Sequence, residues 1–326
     1  MRPVPQAQIL MPSPMPASVI AALEERFVLH RLWEQSDPDA FLAAVGADVR
    51  GMAASTLAGT IDARWFDRLP ALEIIASFGV GYDKVDASAA ASRGIVVTNT
   101  RGVLDEEVAD LAVGLLLATL RRIPQADRFV REGRWPAGPF PLSPTLRGRR
   151  VGILGLGAIG KAVARRLDAF GVPVAYHGRS PQESVSYEYH AALPALAAAS
   201  DILIAVVPGG SGTRHLIDAT VLEALGRDGV LINISRGSVV NQDALVAALQ
   251  AGTIGGAGLD VFDDEPNVPE ALIAMENVVL LPHIGSASDA TRTAMGQLVV
   301  DNLQAWFDDK SAITPVPESL HLARRQ

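Results

Sequence analysis

The chain has 326 residues, enough for two domains at the usual ~100–200 residues each. Hydrophobic residues make up 49% and charged residues 20%, the balance of a soluble globular protein, and a net charge of -8 argues against a nucleic-acid partner, which would require a basic face. There is no cysteine, which excludes disulfides, thiolate catalysis and cysteine-based metal or iron–sulfur sites and fits a reducing cytoplasm; no metal site is expected.

The N-terminal "MRPVPQAQILMPSPMP" is broken by prolines and lacks the apolar core of about 7–15 residues that a signal peptide needs. Strands are expected near Gln8–Met11, Val49–Met52, Glu73–Ser77 and Val96–Thr98, with helices between them, as over Pro16–Arg26 and Pro38–Val45. "MPSPMP" ends the first strand. The first hundred residues thus read as a small α/β domain.

A different regime starts near Leu104. "DEEVADLAVGLLLATLRRI" opens with three acids and closes with two arginines, matching the helix dipole at both ends. It is apolar on nearly every face, so cover from another domain or another subunit is expected, and with it a homodimer. Its most apolar run, Leu111 to Leu120, is too short for the ~30 Å of a bilayer core. No membrane partner is expected.

From Arg150 onward, short branched strands alternate with helical stretches: Val151–Leu154, Pro173–Tyr176, Ile202–Val206, Val230–Ile234, Ala257–Val261 and Val278–Leu281. That alternation predicts a parallel, doubly wound sheet. A last helix over Asp289–Phe307 is expected to return to the first domain. The expected boundaries are therefore 1–99 with 285–326 for a discontinuous substrate domain, and 100–284 for a dinucleotide domain. Ligands are expected in a cleft between the two.

"VGILGLGAIG" supplies Gly155, Gly157 and Gly160 in a G-x-G-x-x-G pattern, after an apolar strand and before the helical "KAVARRLDAF". The first glycine allows the tight turn, the second lets the backbone approach a pyrophosphate, and the third lets helix and strand pack closely. The helix N-terminus, through Ala158, Ile159 and Gly160, turns its unpaired N–H groups on the phosphates. About twenty residues later, "VAYHGRS" ends a strand with His177, Gly178, Arg179 and Ser180. A protein that prefers NAD places there a carboxylate that binds the ribose hydroxyls and repels a 2′-phosphate. Here the nearest acid is Glu183, while Arg179 offers a fork of donors and Ser180 a hydroxyl. NADP(H) is the expected cofactor, with NAD(H) possible.

Three further stretches follow predicted strands, where open α/β sheets hold their ligands: "VLINISRGSVV" with Arg236, "GAGLDVFDDEP" with Asp260 and Glu265, and "NVVLLPHIGSAS" with His283. Taken with "ASFGVGYDKVD", "GIVVTNT" and "DEEVADLAVGLLLATLRR", these make the chain resemble the D-isomer-specific 2-hydroxyacid dehydrogenase family over almost its whole length. It is most similar to the glyoxylate/hydroxypyruvate reductases and the hydroxyphenylpyruvate reductases. The 29 residues from Arg236 to Glu265 and the 18 from Glu265 to His283 look like the family's own spacing.

The resemblance implies a Rossmann cofactor domain inserted in a smaller, flavodoxin-like α/β substrate domain. It implies reduction of a small 2-keto acid. His283 would donate the proton, Glu265 would orient and charge that imidazole, and Arg236 would bind the substrate carboxylate and polarise the carbonyl. Cofactor contacts are implied at Val207, Pro208 and Thr213, at Ile234, Ser235 and Arg236, and at Asp260, His283 and Gly285. Backbone N–H groups at Val80 and Gly81 would meet the substrate carboxylate, with Met52 and Ser55 lining the same wall. Trp135 would either enter the partner subunit's cleft or pack at the dimer interface.

Two departures from the family pattern stand out. Ala158 occupies a position that is often arginine, which leaves more of the phosphate recognition to Arg179. "VVPGGSGTRHLI" carries glycines and a serine where many relatives have a Pro-Glu pair. The reading is an NADPH-dependent reductase of glyoxylate and hydroxypyruvate in the cytoplasm. Hydroxyphenylpyruvate reduction is the alternative within the class. A nucleotide-sensing binding module of the corepressor kind is the alternative outside it. A D-3-phosphoglycerate dehydrogenase is disfavoured because no regulatory domain is expected after Gln326, and a formate dehydrogenase because Glu265 stands where its relatives carry glutamine.

Overall fold

A computed structural model describes residues 6–55 and 58–323. The chain forms two compact units, one over Met1–Leu104 and Ser288–Gln326, the other over Asp105–Ala287.

In the first unit, strands β1 (Gln8–Met11), β2 (Val28–Arg31), β3 (Val49–Ser55), β4 (Ile74–Phe78) and β5 (Val96–Thr98) alternate with helices α1 (Ala17–Glu24), α2 (Pro38–Val45), α3 (Ala63–Arg68) and α4 (Ala87–Ser92). The sheet is parallel, in the order β2-β1-β3-β4-β5, the flavodoxin-like arrangement. Short polar side chains start its helices. Asp37 accepts from the Ala40 N–H at 3.0 Å and Asp86 from the Ala89 N–H at 2.9 Å, each satisfying a donor that the first turn leaves open. β2, absent from the sequence reading, is an edge strand whose "VLHR" lacks a buried face, so its apolar signal is weak.

The second unit opens with α5 (Asp105–Arg121) and α6 (Ile123–Arg131). It continues with β6 (Val151–Leu154), α7 (Ala158–Ala169), β7 (Val174–His177), β8 (Glu188–Tyr189), α8 (Leu193–Ala198), β9 (Ile202–Ala205), α9 (Ala219–Leu225), β10 (Val230–Asn233), α10 (Gln242–Ala251), β11 (Gly256–Leu259), α11 (Glu270–Ile273) and β12 (Val278–Leu280). Its seven-stranded parallel sheet runs β12-β11-β10-β9-β6-β7-β8, the doubly wound order of a Rossmann domain. The two-residue β8 was not foreseen. The chain then returns to the first unit through α12 (Asp289–Asp309), capped by Ser288.

Cover for α5 corrects one expectation. The helix buries Val108, Ala109, Ala112, Leu115, Leu116 and Leu120, and it does so within its own unit. A Cβ on Gly258 of β11 would stand 2.8 Å from Leu115 Cγ and 2.5 Å from Thr119 Oγ1, so helix and strand meet flush. Arg166 of α7 also reaches the exposed face of α5, at 2.6 Å from Asp110 and 2.7 Å from Glu106. No second subunit is needed to bury these side chains. The exposed large apolar side chains of this stretch follow it instead: Ile123, Val130, Trp135 and Leu142. Among the described residues, no helix is long and apolar enough to cross a membrane.

Candidate active site

Most of the second unit's expected site residues fall on loops that leave the carboxyl ends of parallel strands; Ala158, Ile159 and Gly160 open α7, His177 ends β7, and Trp135 lies on the segment after α6. Gly155 and Gly157 follow β6, Arg179 and Ser180 follow β7, Val207 and Pro208 follow β9, Arg236 follows β10, Asp260 and Glu265 follow β11, and His283 follows β12. A parallel sheet brings these ends to one edge whatever their separation in sequence.

The glycine loop has the shape a dinucleotide requires. Gly155 adopts φ +97°, and a Cβ there would meet Val207 Cγ1 at 2.7 Å and the Val206 carbonyl at 2.8 Å. A Cβ on Gly160 would fall 2.1 Å from the Gly155 carbonyl, so helix α7 can approach β6 only through glycine. Gly157 differs: nothing lies within 4 Å of its would-be Cβ, although it is the N-cap of a twelve-residue helix. That residue has no side-chain cap of its own, and the open N–H groups of the first turn suit the pyrophosphate of a bound dinucleotide. Beyond β7, Arg179 and Ser180 are exposed, and Arg179 has no ion pair to any described residue. His177 engages the His190 carbonyl through Nδ1 at 2.8 Å, and the Gly178 carbonyl accepts from Tyr189 Oη at 3.2 Å, which fixes this strand end. The residues present fit an NADP(H) molecule.

His283 and Glu265 form the chemical centre. Nδ1 of His283 lies 2.7 Å from Glu265 Oε2. The other carboxylate oxygen, Oε1, accepts from the Phe262 N–H at 3.0 Å, so the carboxylate is held from two sides. Burial alone would raise the Glu265 pKa; the hydrogen bond and charge of His283, the Phe262 N–H and the Arg236 charge outweigh it and hold the carboxyl below its usual range. An ionised Glu265 makes Nδ1 the protonated nitrogen. Nε2 of His283 then has no partner among the described residues, and the side chain is 39% exposed. It can hand a proton to a bound oxygen.

Sequence reasoning missed how tightly the surrounding loops are fixed. His283 sits at φ +54°, in the left-handed region that few side chains other than glycine adopt. Asp260 holds that turn. Its main-chain carbonyl accepts from the His283 N–H at 2.9 Å, its Oδ1 from the Ile284 N–H at 2.7 Å and its Oδ2 from the Gly285 N–H at 2.9 Å. Asp260 is only 1% exposed, and burial raises its pKa while the two N–H donors and the His283 charge pull the other way. Gly237 was not singled out either, yet a Cβ there would lie 1.9 Å from the Phe262 carbonyl carbon. The Arg236 loop can therefore press against the loop that carries Glu265. Asn233, buried at the end of β10, shapes the same loop by accepting from the N–H and hydroxyl of Ser235, at 3.1 and 2.7 Å. No sequence signal marked Asn233, but its position at the end of an apolar strand could have.

In the first unit the expected substrate residues fare differently. Val80 and Gly81 follow β4, and their N–H groups donate to no described residue; Asn99 Nδ2 holds the Val80 carbonyl at 2.8 Å. Ser55 Oγ meets Ser13 Oγ at 2.8 Å. Met52 is a correction. Its side chain is fully buried in the core with Leu10 and Ile75, because its register on the central β3 points it into the layer beneath the sheet, and it offers no surface to a ligand. Trp135 is 66% exposed on the segment that follows α6.

Comparison with known proteins identifies the family. The family model described as "D-isomer specific 2-hydroxyacid dehydrogenase, NAD binding domain" matches residues 113–285. The chain is 47% identical to glyoxylate/hydroxypyruvate reductase A of Arabidopsis thaliana, over 94% of this chain and 98% of that one. It is 48% identical, with the same coverage, to hydroxyphenylpyruvate reductase of Plectranthus scutellarioides. Among solved structures, it is similar to an NADPH-dependent glyoxylate/hydroxypyruvate reductase of Sinorhizobium meliloti in complex with NADP and malonate. That likeness has a TM-score of 0.92 and 55% identity, over 96% of this chain and 98% of the other.

Proposed function

We infer the activity from one premise: the chain belongs to the D-isomer specific 2-hydroxyacid dehydrogenase family. It is an NAD(P)-dependent 2-hydroxyacid dehydrogenase that works as an NADPH-dependent reductase of small 2-keto acids, taking glyoxylate to glycolate and hydroxypyruvate to D-glycerate. The observation that carries this reading is the His283–Glu265 pair at 2.7 Å, on the same sheet edge as the glycine loop and beside Arg236.

NADPH, held by the Gly155–Gly157 loop, the first turn of α7, Arg179 and Ser180, would supply the hydride that the keto carbon requires. This chain's own residues do the rest. The guanidinium of Arg236 takes the substrate carboxylate in its planar fork and draws charge toward the carbonyl oxygen. His283 delivers the proton to that oxygen from Nε2, while Glu265, ionised, keeps the ring oriented. Asp260, Ile234, Ser235 and Gly285 hold the surrounding turns, and Arg179 with Ser180 receives the 2′-phosphate. The first unit is the substrate domain and contributes Ser55, Val80 and Gly81; the second is the dinucleotide domain.

The protein acts in the cytoplasm as a homodimer. Exposed Ile123, Val130, Trp135 and Leu142 on one chain segment support the dimer, and the absence of cysteine fits a reducing compartment. Light scattering of the wild type and of Trp135→Ala tests it: a monomeric wild type overturns the homodimer.

The activity is tested by NADPH oxidation at 340 nm with glyoxylate, hydroxypyruvate and 4-hydroxyphenylpyruvate. The two small acids should give the higher kcat/KM. Preference for the aromatic acid would replace this reading with that of the Plectranthus relative, and no turnover of any 2-keto acid would leave a binding module.

A further inference from the structure

Arg292 is the fourth residue of α12. Its half-buried guanidinium lies over the ring of Phe78, 5.6 Å from the centroid. It forms no ion pair or hydrogen bond with any described residue. Arg50, Arg68, Arg93 and Arg166, by contrast, each pair with a carboxylate. Burial pushes the Arg292 guanidinium down from its ordinary value, and no acid acts the other way. The placement is also electrostatically adverse, because a cation near a helix N-terminus opposes the dipole. A ring face compensates only in part.

What lies beside it gives the charge a purpose. Phe78 ends β4, and the next residues are the loop whose Val80 and Gly81 N–H groups have no described acceptor. Thr100 Oγ1 takes the Gly79 N–H at 3.1 Å and Asn99 braces the Val80 carbonyl, so the donors are fixed. A half-buried cation over Phe78, with no ion pair among the described residues, and two open N–H groups two and three residues further along are donors suited to oxygen acceptors.

We propose that Arg292 is a specificity-determining residue that binds an oxygen carried on the third carbon of the substrate, a hydroxyl or a second carboxylate. The proposal rests on the reductase reading above. The reductase reading already gives the carboxylate next to the keto group to Arg236, so the oxygen assigned to Arg292 is the one that distinguishes hydroxypyruvate from glyoxylate. Glyoxylate has no third carbon and cannot use it.

The test compares the whole wild-type protein with Arg292→Gln and Arg292→Lys, using NADPH and either hydroxypyruvate or glyoxylate. The charge-assisted contact should be worth about tenfold to a hundredfold in kcat/KM. Arg292→Gln should lose that much with hydroxypyruvate, mainly through KM, and change less than about threefold with glyoxylate; Arg292→Lys should recover part of the loss. Equal losses on both substrates, or none on either, overturn the proposal. If Arg292→Gln unfolds, the lysine variant decides alone: an unchanged substrate ratio relative to wild type refutes a fork-shaped contact. If the wild type reduces neither acid, the reductase reading fails. Competition by malonate against a fluorescent keto-acid analogue then still reads Arg292: displacement that survives in Arg292→Gln overturns the proposal, and displacement lost there upholds it.

Discussion

His283 Nδ1 and Glu265 Oε2 lie 2.7 Å apart although 18 residues separate them in sequence. One carboxylate thereby sets the orientation of the imidazole. Replacing Glu265 with glutamine keeps the shape and removes the negative charge. The kcat/KM for glyoxylate should fall by about tenfold to a thousandfold, as expected on weakening a general acid. A kcat/KM that stays at the wild-type value removes Glu265 from the chemistry.

The same pair has a consequence for stability. Glu265 is held below its usual carboxylate range in the folded protein. Its contribution is therefore fully present above the unfolded value of about 4.3 and is lost as pH falls through the lower folded value. Urea melts of the wild type and Glu265→Gln should differ at neutral pH and converge under acid. A gap that persists unchanged to acid pH contradicts the linkage.

Asp260 anchors the left-handed turn at His283 through three hydrogen bonds. Asp260→Ala leaves two N–H groups without their acceptor, at a cost of about 1–3 kcal/mol each when such groups are buried. The turn should relax, with kcat falling at least about tenfold, since small misplacements of a catalytic group are costly. NADPH affinity, read by fluorescence quenching, separates this role from a cofactor contact. A large rise in Kd with little loss of kcat assigns Asp260 to the cofactor instead.

The proposed reading of the 2′-phosphate by Arg179 is open to test at the end of β7. Introducing the missing acid as Arg179→Asp should lower the NADPH-to-NADH ratio of kcat/KM by about tenfold to a hundredfold, the worth of one charge-assisted contact. The decisive comparison is the ratio rather than either rate. An unchanged ratio shows that the 2′-phosphate is read elsewhere.

The glycine loop predicts two different failures. Gly160→Ala puts a Cβ 2.1 Å from the Gly155 carbonyl, so helix α7 must move and the melting temperature should drop. Gly157→Ala meets nothing within 4 Å and should fold normally, yet lose NADPH affinity because its methyl group enters the space that fits the pyrophosphate. Thermal shift with and without NADPH distinguishes them. A Gly157→Ala protein that binds as well as wild type would remove the phosphates from this loop.

The sequence by itself determined the alternation of strands and helices and hence the two parallel sheets, because branched apolar runs and capped helices are local signals. Gly155, Gly157 and Gly160, and the missing acid before Arg179, were legible for the same reason: their meaning depends on a short stretch of chain. The edge strands β2 and β8 were not legible, since an edge buries too little to leave an apolar pattern. Only tertiary structure decided what covers α5, why Gly237 must be glycine, and that Met52 faces the core. It also revealed Asp260 as the clamp on the His283 turn and left Arg292 without a counter-charge. These facts concern atoms brought together by folding from distant parts of the chain, and no local pattern encodes such distances.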